Sequence, residues 1–459
     1  MCSKLNRRLP LTQPYKTNLT TDPQTQKTDR RAAWFALIVL FLINLVNFFD
    51  RLIIGAVGEP IRREFELSDT SLGLLSTAFT LLYAFVGIPF GRMADRYPRK
   101  RILAAGVFAW SLLTFASGFA RNFWQIFLLR LGVGVGEASC APAATSLISD
   151  LFPEDKRARA MSIFMLGLPV GIALSFLVSG TVAREYGWRA AFFVAGVPGI
   201  LLAVAALFIR EPGRAPHPTV ASTTTFAWAP FRTVLSSWTM FWLILSGALH
   251  NFSLYALSSF MTPYLMRFHD LDIRDANIIA MLVNGIFTLP GLILGGIAGD
   301  LAKRWRVNGG LIVVAAATLF SVPLFISAIM AEAGNTTLFL FAMGGAFALM
   351  YFYYSITYAT IAEITPPNLR GTAMAVYFMA MYLLGGALGP YVVGAVSDHF
   401  TRKAALAGGI TEFTSAALEP FRGAGLQSAM MIVPALCIVL ALVMFMAARS
   451  LRNQHRSLT

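Results

Sequence analysis

From residue 33 to residue 448, apolar side chains come in runs of about 20, separated by short polar breaks. A helix needs a run of that length to cross roughly 30 Å of hydrocarbon. The pattern predicts twelve spans, at about 33–57, 72–94, 101–119, 122–148, 159–182, 189–209, 238–265, 275–300, 309–331, 336–362, 371–397 and 426–448. A Pro/Gly-bearing, Ser/Thr-rich segment, 210–237, divides them six and six. The expected organisation is therefore a disordered polar tail (1–32), a six-helix bundle (33–209), a linker (210–237), a second six-helix bundle (238–448) and a short tail (449–459).

Two polar landmarks recur across that division. The segment Gly91-Arg-Met-Ala-Asp95-Arg-Tyr-Pro-Arg99-Lys-Arg101 returns, degenerate, 205 residues later as Gly296-Ile-Ala-Gly-Asp300-Leu-Ala-Lys-Arg304-Trp-Arg306. Asp150-Leu-Phe-Pro153-Glu-Asp-Lys-Arg157 reads against Glu363-Ile-Thr-Pro366-Pro-Asn-Leu-Arg370, shifted by 213. Two landmarks in the same order imply a duplicated membrane unit, an arrangement typical of carriers.

Composition narrows the class. With 56% hydrophobic residues, 13% charged residues and a mean hydropathy of +0.64, the chain lacks the polar surface of a soluble protein. Its net charge of +14 could suggest nucleic acid, but the basic residues are scattered over many short loops without a basic stripe or nucleic-acid module. They report topology instead. With the N-terminus inside, inner loops and tails hold 25 Lys/Arg against 10 in the outer loops, which predicts both termini in the cytoplasm. Trp34, Trp124, Trp188, Trp238 and Tyr264 sit near span ends, where amphipathic rings settle. Three cysteines make no disulfide framework.

No enzyme, metal or cofactor constellation is present: the five histidines are scattered and there is no phosphate-cradling loop for ATP. The Gly132-Val-Gly-Val-Gly136 run follows no strand and reads as helix packing. Uphill movement of a substrate would have to draw on an ion gradient.

Ionisable groups inside a membrane cost at least ~2.5–3.5 kcal/mol each on the insertion scale, so each needs a partner or a purpose. Four lie deep in the spans: Asp50 and Arg51 in the first, Arg130 and Glu137 in the fourth. At the 213 offset Arg130 and Glu137 correspond to Met343 and Met350, so the charges belong to one half of a duplicated scaffold. Arg130 and Glu137 share a helix face about 10 Å apart. Depth along the spans favours pairing of Asp50 with Arg130. That leaves Glu137 without a base at its level and able to take up a proton near neutral pH, and buried carboxylates make protons the expected coupling ion.

Other candidates are softer. Asn47, Phe48, His250, Tyr255, Tyr354 and Tyr358 are expected to line a substrate path, although each could equally pack between helices; Met343 and Met350 are expected to add adaptable apolar surface. Asp95 and Arg96, with Arg99 and their counterparts Asp300 and Arg304, are expected to close the inner mouth.

The six-plus-six spans and the Gly-x-x-x-Asp-Arg-x-x-Arg-Lys loop with its weaker echo resemble the major facilitator superfamily. Asn47-Phe-Phe-Asp50-Arg51, Arg130-Leu-Gly-Val-Gly-Val-Gly136-Glu137-Ala, Pro142-Ala-Ala-Thr-Ser146-Leu-Ile-Ser-Asp150-Leu-Phe-Pro153 and Gly167-Leu-Pro-Val-Gly171 resemble its Spinster-like branch, with Phe48 where many relatives carry tyrosine. The resemblance implies two bundles related by a pseudo-two-fold axis and alternating access. It also implies proton- and substrate-linked roles for Asp50, Arg51 and Glu137, with Arg130 in proton coupling, and a lysolipid or sphingosine-phosphate type of amphiphile as substrate. A symporter for small organic anions shares the Asn-x-x-Asp-Arg element and stays open, as does a non-transporting receptor or scaffold. The expected setting is a monomer in a bacterial inner membrane, with lipid and a small-molecule substrate as partners and no nucleic acid.

Overall fold

A computed structural model describes residues 23–211, 232, 234–366 and 369–456, and every regular element among them is helical. The first bundle holds α1 (Pro23–Glu64), α2 (Asp69–Arg96), α3 (Arg99–Ser117), α4 (Phe123–Leu151), α5 (Asp155–Tyr186) and α6 (Trp188–Leu207). The second holds α7 (Trp238–Phe268), α8 (Ile273–Trp305), α9 (Gly309–Ile329), α10 (Thr336–Ile364), α11 (Arg370–Ala407) and α12 (Ser415–His455). Ten of these segments are long and apolar enough to cross a membrane. The other two are α2 and α3; α3 carries Arg99, Lys100 and Arg101 in its first turn and packs on α4 and α6, while α2 packs on α4 and on α11 of the second bundle. Helix α1 begins at Pro23, within the segment expected to be tail, while residues 1–22 and most of the linker lie outside the described residues.

Local chemistry explains where helices start and break. Asn122, Ser237, Asp272 and Asn335 cap α4, α7, α8 and α10, each accepting a hydrogen bond from the backbone N–H three residues on. Helix α4 turns after Glu137, and α8 and α11 each carry a π segment, Leu282–Ile286 and Met381–Gly386. A π turn displaces backbone carbonyls, and Asn251 of α7 donates to the Met381 carbonyl at 3.2 Å.

The duplication is visible in matched contacts. Arg157 donates to the Ser149 carbonyl at 2.8 Å, and its counterpart Arg370 donates to the Ala362 carbonyl at 2.8 Å. Asp150 pairs with Arg99, and its counterpart Glu363 with Lys303 at 2.6 Å. Close helix approach is also matched: a Cβ on Gly134 would meet the Phe79 carbonyl oxygen at 2.1 Å between α4 and α2. A Cβ on Gly291 would meet that of Ala348 at 2.0 Å between α8 and α10.

One face of the molecule carries Glu211 and the start of α7 and is called the linker face; the other is the distal face. The bundles meet through α1 on α7, α2 on α11 and α5 on α8. These contacts lie toward the distal side: Thr77 donates to the Ala387 carbonyl at 2.6 Å, Asn277 to the Ala56 carbonyl at 3.0 Å, and Arg184 pairs with Asp272 at 3.3 Å. Among the described residues, the linker-side segments Cys140–Leu151 of α4 and Glu154–Met165 of α5 make no substantial packing with the second bundle. The halves are closed distally and apart at the linker face.

The tight glycine seams set a stability test. Gly134→Val forces a side chain against backbone and should lower the melting temperature by several degrees, as expected for roughly 1–3 kcal/mol of overpacking. Gly296→Ala, where the nearest heavy atom is 3.9 Å away, should leave it unchanged. Equal melting temperatures for the two variants would contradict the packing described.

Candidate functional site

Where α1 crosses α4, four charges lie sealed from solvent: Asp50, Arg130 and Glu137 are 0% exposed and Arg51 6%. Arg51 Nε donates to Glu137 Oε2 at 2.9 Å. The pairing expected from depth is therefore corrected, because Glu137 does have a base. The Arg51 side chain is long enough to reach across to α4, whereas Asp50 is short. Arg130 donates from one terminal nitrogen to the Asp50 backbone carbonyl at 2.8 Å and makes no ion pair with its carboxylate. The carboxylate instead accepts from the Thr114 hydroxyl of α3, on Oδ2 at 3.1 Å. Several buried atoms have no partner among the described residues: Asp50 Oδ1, Glu137 Oε1, Asn47 Nδ2, and Nε and one terminal nitrogen of Arg130. Two acids and two bases balance in sum, while each acid keeps a free oxygen.

Aromatic rings from both bundles surround Arg51. Its guanidinium carbon lies 4.7 Å from the ring centre of Phe48, 4.5 Å from Tyr83, 5.6 Å from Phe79 and 5.9 Å from Tyr382 of α11. A desolvated cation is stabilised by such faces. Tyr83 and Tyr382 sit edge to face at 5.5 Å, and the belt continues through Tyr255 (6.4 Å from Tyr382) and Phe378 to Tyr358 and Tyr354. These rings are half-buried and converge from α2, α7, α10 and α11. Tyr255, Tyr354 and Tyr358 thus lie on one belt of rings, and Phe48 lies against Arg51.

His250 sits behind these rings: it is fully buried, stacked on Tyr353 at 4.0 Å and edge-on to Tyr354 of the belt at 5.0 Å, with neither ring nitrogen bonded among the described residues. Tyr353 itself is locked to Ser246 and Tyr377 by 2.8 Å hydrogen bonds. Met343 and Met350 are 0% exposed, with Met350 Sδ 3.9 Å from Cys437 Sγ, so they fill the second bundle's core rather than a cavity wall.

At the linker face, Asp95 and Arg96 end α2, and their side chains lie outside the described residues. Arg99 is buried and bonds Asp150, Ser146 (2.8 Å) and Glu211 (2.8 Å), all in the first bundle or at its end. Burial pushes the Glu211 carboxyl up, but the Arg99 hydrogen bonds outweigh it and hold the group below its ordinary value. Asp300 and Arg304 are exposed and have no ion-pair partner among the described residues. Among the described residues, no ion pair therefore spans the two bundles here.

The bridging charges among the described residues are at the distal face, beyond the ends of the apolar runs. Arg267 at the end of α7 binds Glu59 of α1 at 2.5 Å and Asp69 of α2 at 2.8 Å. Glu59 also takes Arg62 at 2.9 Å and Arg63 at 3.0 Å, and Arg62 reaches Glu419 of α12 at 2.6 Å. Asp398 of α11 accepts from the Asp69 and Thr70 backbone N–H groups at 3.0 and 2.9 Å, capping α2 from the opposite bundle. Arg422 lies 3.3 Å from Glu419 and 3.7 Å from Asp398. Four carboxylates and four arginines thus join α1 and α2 to α7, α11 and α12. A usable signal was present, since Glu59 and Glu419, near the ends of apolar runs, are each followed three residues on by an arginine.

Arg267→Ala removes the one cation that Glu59 of α1 and Asp69 of α2 share, leaving Glu59 to Arg62 and Arg63 and Asp69 to Arg422 at 3.8 Å, and should loosen this face. Spin labels at Glu185→Cys, in the last turn of α5, and Glu332→Cys, in the α9–α10 loop, should show a longer and broader distance distribution in that variant. Arg189→Ala removes the 2.7 Å bridge to Glu64 within the first bundle and should not change it. An unaltered distribution in Arg267→Ala would remove the latch role.

The Major Facilitator Superfamily model matches residues 40–390. An MFS-type efflux pump of Mycolicibacterium smegmatis is 30% identical over 82% of this chain and 88% of its own length. Protein spinster homolog 1 of Xenopus laevis is 32% identical over 80% of this chain and 73% of its own. A crystal structure of a bacterial homolog to the human lysosomal transporter Spinster, inward-facing and unoccupied, aligns with a TM-score of 0.81 at 29% identity, covering 91% of this chain and 97% of that one. The chain is a multi-pass membrane protein of the Major Facilitator Superfamily and belongs to its Spinster-like branch.

Proposed function

We propose that the chain is a proton-coupled secondary active transporter that works by alternating access on an amphiphilic anionic or zwitterionic molecule such as a lysolipid. The observation that carries this reading is the Arg51–Glu137 pair, sealed in the first bundle yet ringed by aromatic side chains of both. A substrate head bearing a phosphate or carboxylate competes with Glu137 for Arg51. Glu137, deprived of its counter-charge, takes up a proton, since an unpaired carboxylate is costly in that setting. Asp50 is the second acid, kept near the Arg130 charge without a direct bond to it. The tyrosine belt offers apolar faces to an acyl chain and hydroxyls to a polar linker. The basic excess of the inner loops makes the linker face cytoplasmic, so the distal latch is the outer gate, here closed. A bacterial inner membrane and a monomer remain the proposed setting.

The test is flux of a lysophospholipid probe in proteoliposomes under an imposed pH gradient. The parent should respond to the gradient, Glu137→Gln and Asp50→Asn should lose that response, and Arg51→Ala should lose flux more than tenfold. Flux unchanged by both acid substitutions at pH 6 and pH 8 would remove the coupling role. In parallel, ligands of the folded state should raise the melting temperature by mass action. Saturable stabilisation by small carboxylates alone, lost in Arg51→Ala, would move the chain to organic-anion symport.

A further inference from the structure

Helix α3 lines no part of the aromatic belt; it packs on α4 and α6 within the first bundle. Yet it sends one hydroxyl into the charge cluster. Thr114 is 0% exposed, and its single O–H donates to Asp50 Oδ2 at 3.1 Å, although a threonine in a helix can instead bond the carbonyl a turn back. Ser117, one turn on, does so, donating to the Leu113 carbonyl at 2.9 Å. The other Asp50 oxygen, Oδ1, is buried without a partner among the described residues, and so are two nitrogens of Arg130. The two oxygens of one carboxylate are therefore unequal.

We propose that Thr114 is a positioning residue for proton binding at Asp50: its hydroxyl holds Oδ2 as an acceptor in both charge states and directs the proton to Oδ1. This rests on the reading that Asp50 takes part in coupling. The proton adds to a lone pair of Oδ1, Oδ2 becomes the carbonyl oxygen, and the Thr114 hydrogen bond persists without rearrangement. The charged groups facing Asp50 are Arg130 and Glu137 of α4, with Arg51 beside it on α1. The ionisable residues of α3, α5 and α6 lie near their ends, the described ones of α2 are Asp69 in the distal latch and Tyr83 against Arg51, and those of α7 are Arg267 in the distal latch, Tyr264 near the distal end, Tyr255 in the aromatic belt and His250 against Tyr353. The hydroxyl is thus the one neutral donor given to this carboxylate among the described residues.

Two consequences separate positioning from a merely structural role. A donor to a carboxylate favours the ionised form, so its removal moves proton uptake to higher pH. The carbonyl stretch of the protonated acid rises in wavenumber when its oxygen loses a donor. Both are read by pH-difference infrared spectroscopy on purified protein in lipid nanodiscs, which needs no transported ligand. Asp50→Asn should delete one protonated-carboxyl band. In Thr114→Val that band should titrate about one pH unit higher, the shift expected from losing a hydrogen bond to a charged group, and move to higher wavenumber. Thr114→Ser should restore both. Should Thr114→Val fold poorly, Thr114→Ala gives the same reading. A band that keeps its midpoint and frequency in Thr114→Val or Thr114→Ala, even with a lowered melting temperature, overturns the inference and leaves the coupling role of Asp50 intact. No band lost in Asp50→Asn overturns both.

Discussion

A charge taken out of water between apolar helices must be met by an opposite charge or by strong hydrogen bonds, because the desolvation cost is otherwise several kcal/mol per ion. That constraint organises this molecule. In the middle of the first bundle it ties Arg51 to Glu137 at 2.9 Å and leaves Asp50 with a hydroxyl and a nearby arginine. At the distal face it gathers four acids and four arginines from both bundles into one network. The two sites use the same physics to different ends. In the proposed function the deep pair is opened by a proton or an anion, whereas the distal network holds only while the bundles touch.

The two sites share helix α1, which carries Asp50 and Arg51 within its length and Glu59, Arg62 and Arg63 in its last turns. Arg51 also faces Tyr382 of α11, on the helix whose distal half caps α2 through Asp398. A change in the deep charges therefore acts on a helix already engaged in the distal contacts. The duplicated scaffold supplies matched ties in each half, Arg157 to Ser149 and Arg370 to Ala362, while the charges that could couple to protons are confined to one.

Much of this was legible in the sequence. Runs of about 20 apolar residues and two repeated loops carried the helical membrane fold and its duplication, and ionisable residues inside such runs singled out Asp50, Arg51, Arg130 and Glu137. Their pairing was not legible. Depth along a helix is fixed by residue count, but which partner a side chain meets depends on rotation and reach, and the long Arg51 side chain crosses a level that Asp50 cannot. The distal latch escaped because Glu59, Asp69, Arg267 and Glu419 sit beyond the apolar runs, where charge is ordinarily solvated. Only the contact between bundles buries Glu59, Asp69 and Arg267. For His250 and Met343 the sequence left packing between helices open beside a place on the substrate path, and both are buried within the second bundle: a helix turns most of its face to neighbours, and a residue type alone does not say which side.

The central claim is that protonation of the deep acids biases which face of the molecule is closed. Electron–electron distance distributions across the linker face, recorded from pH 8 to pH 5.5 in substrate-free nanodiscs, test it most directly. The account predicts that the parent redistributes between a long and a short linker-face distance with pH, and that combined Asp50→Asn and Glu137→Gln freezes the distribution in one of them. A pH-driven redistribution that persists in the double variant would contradict it.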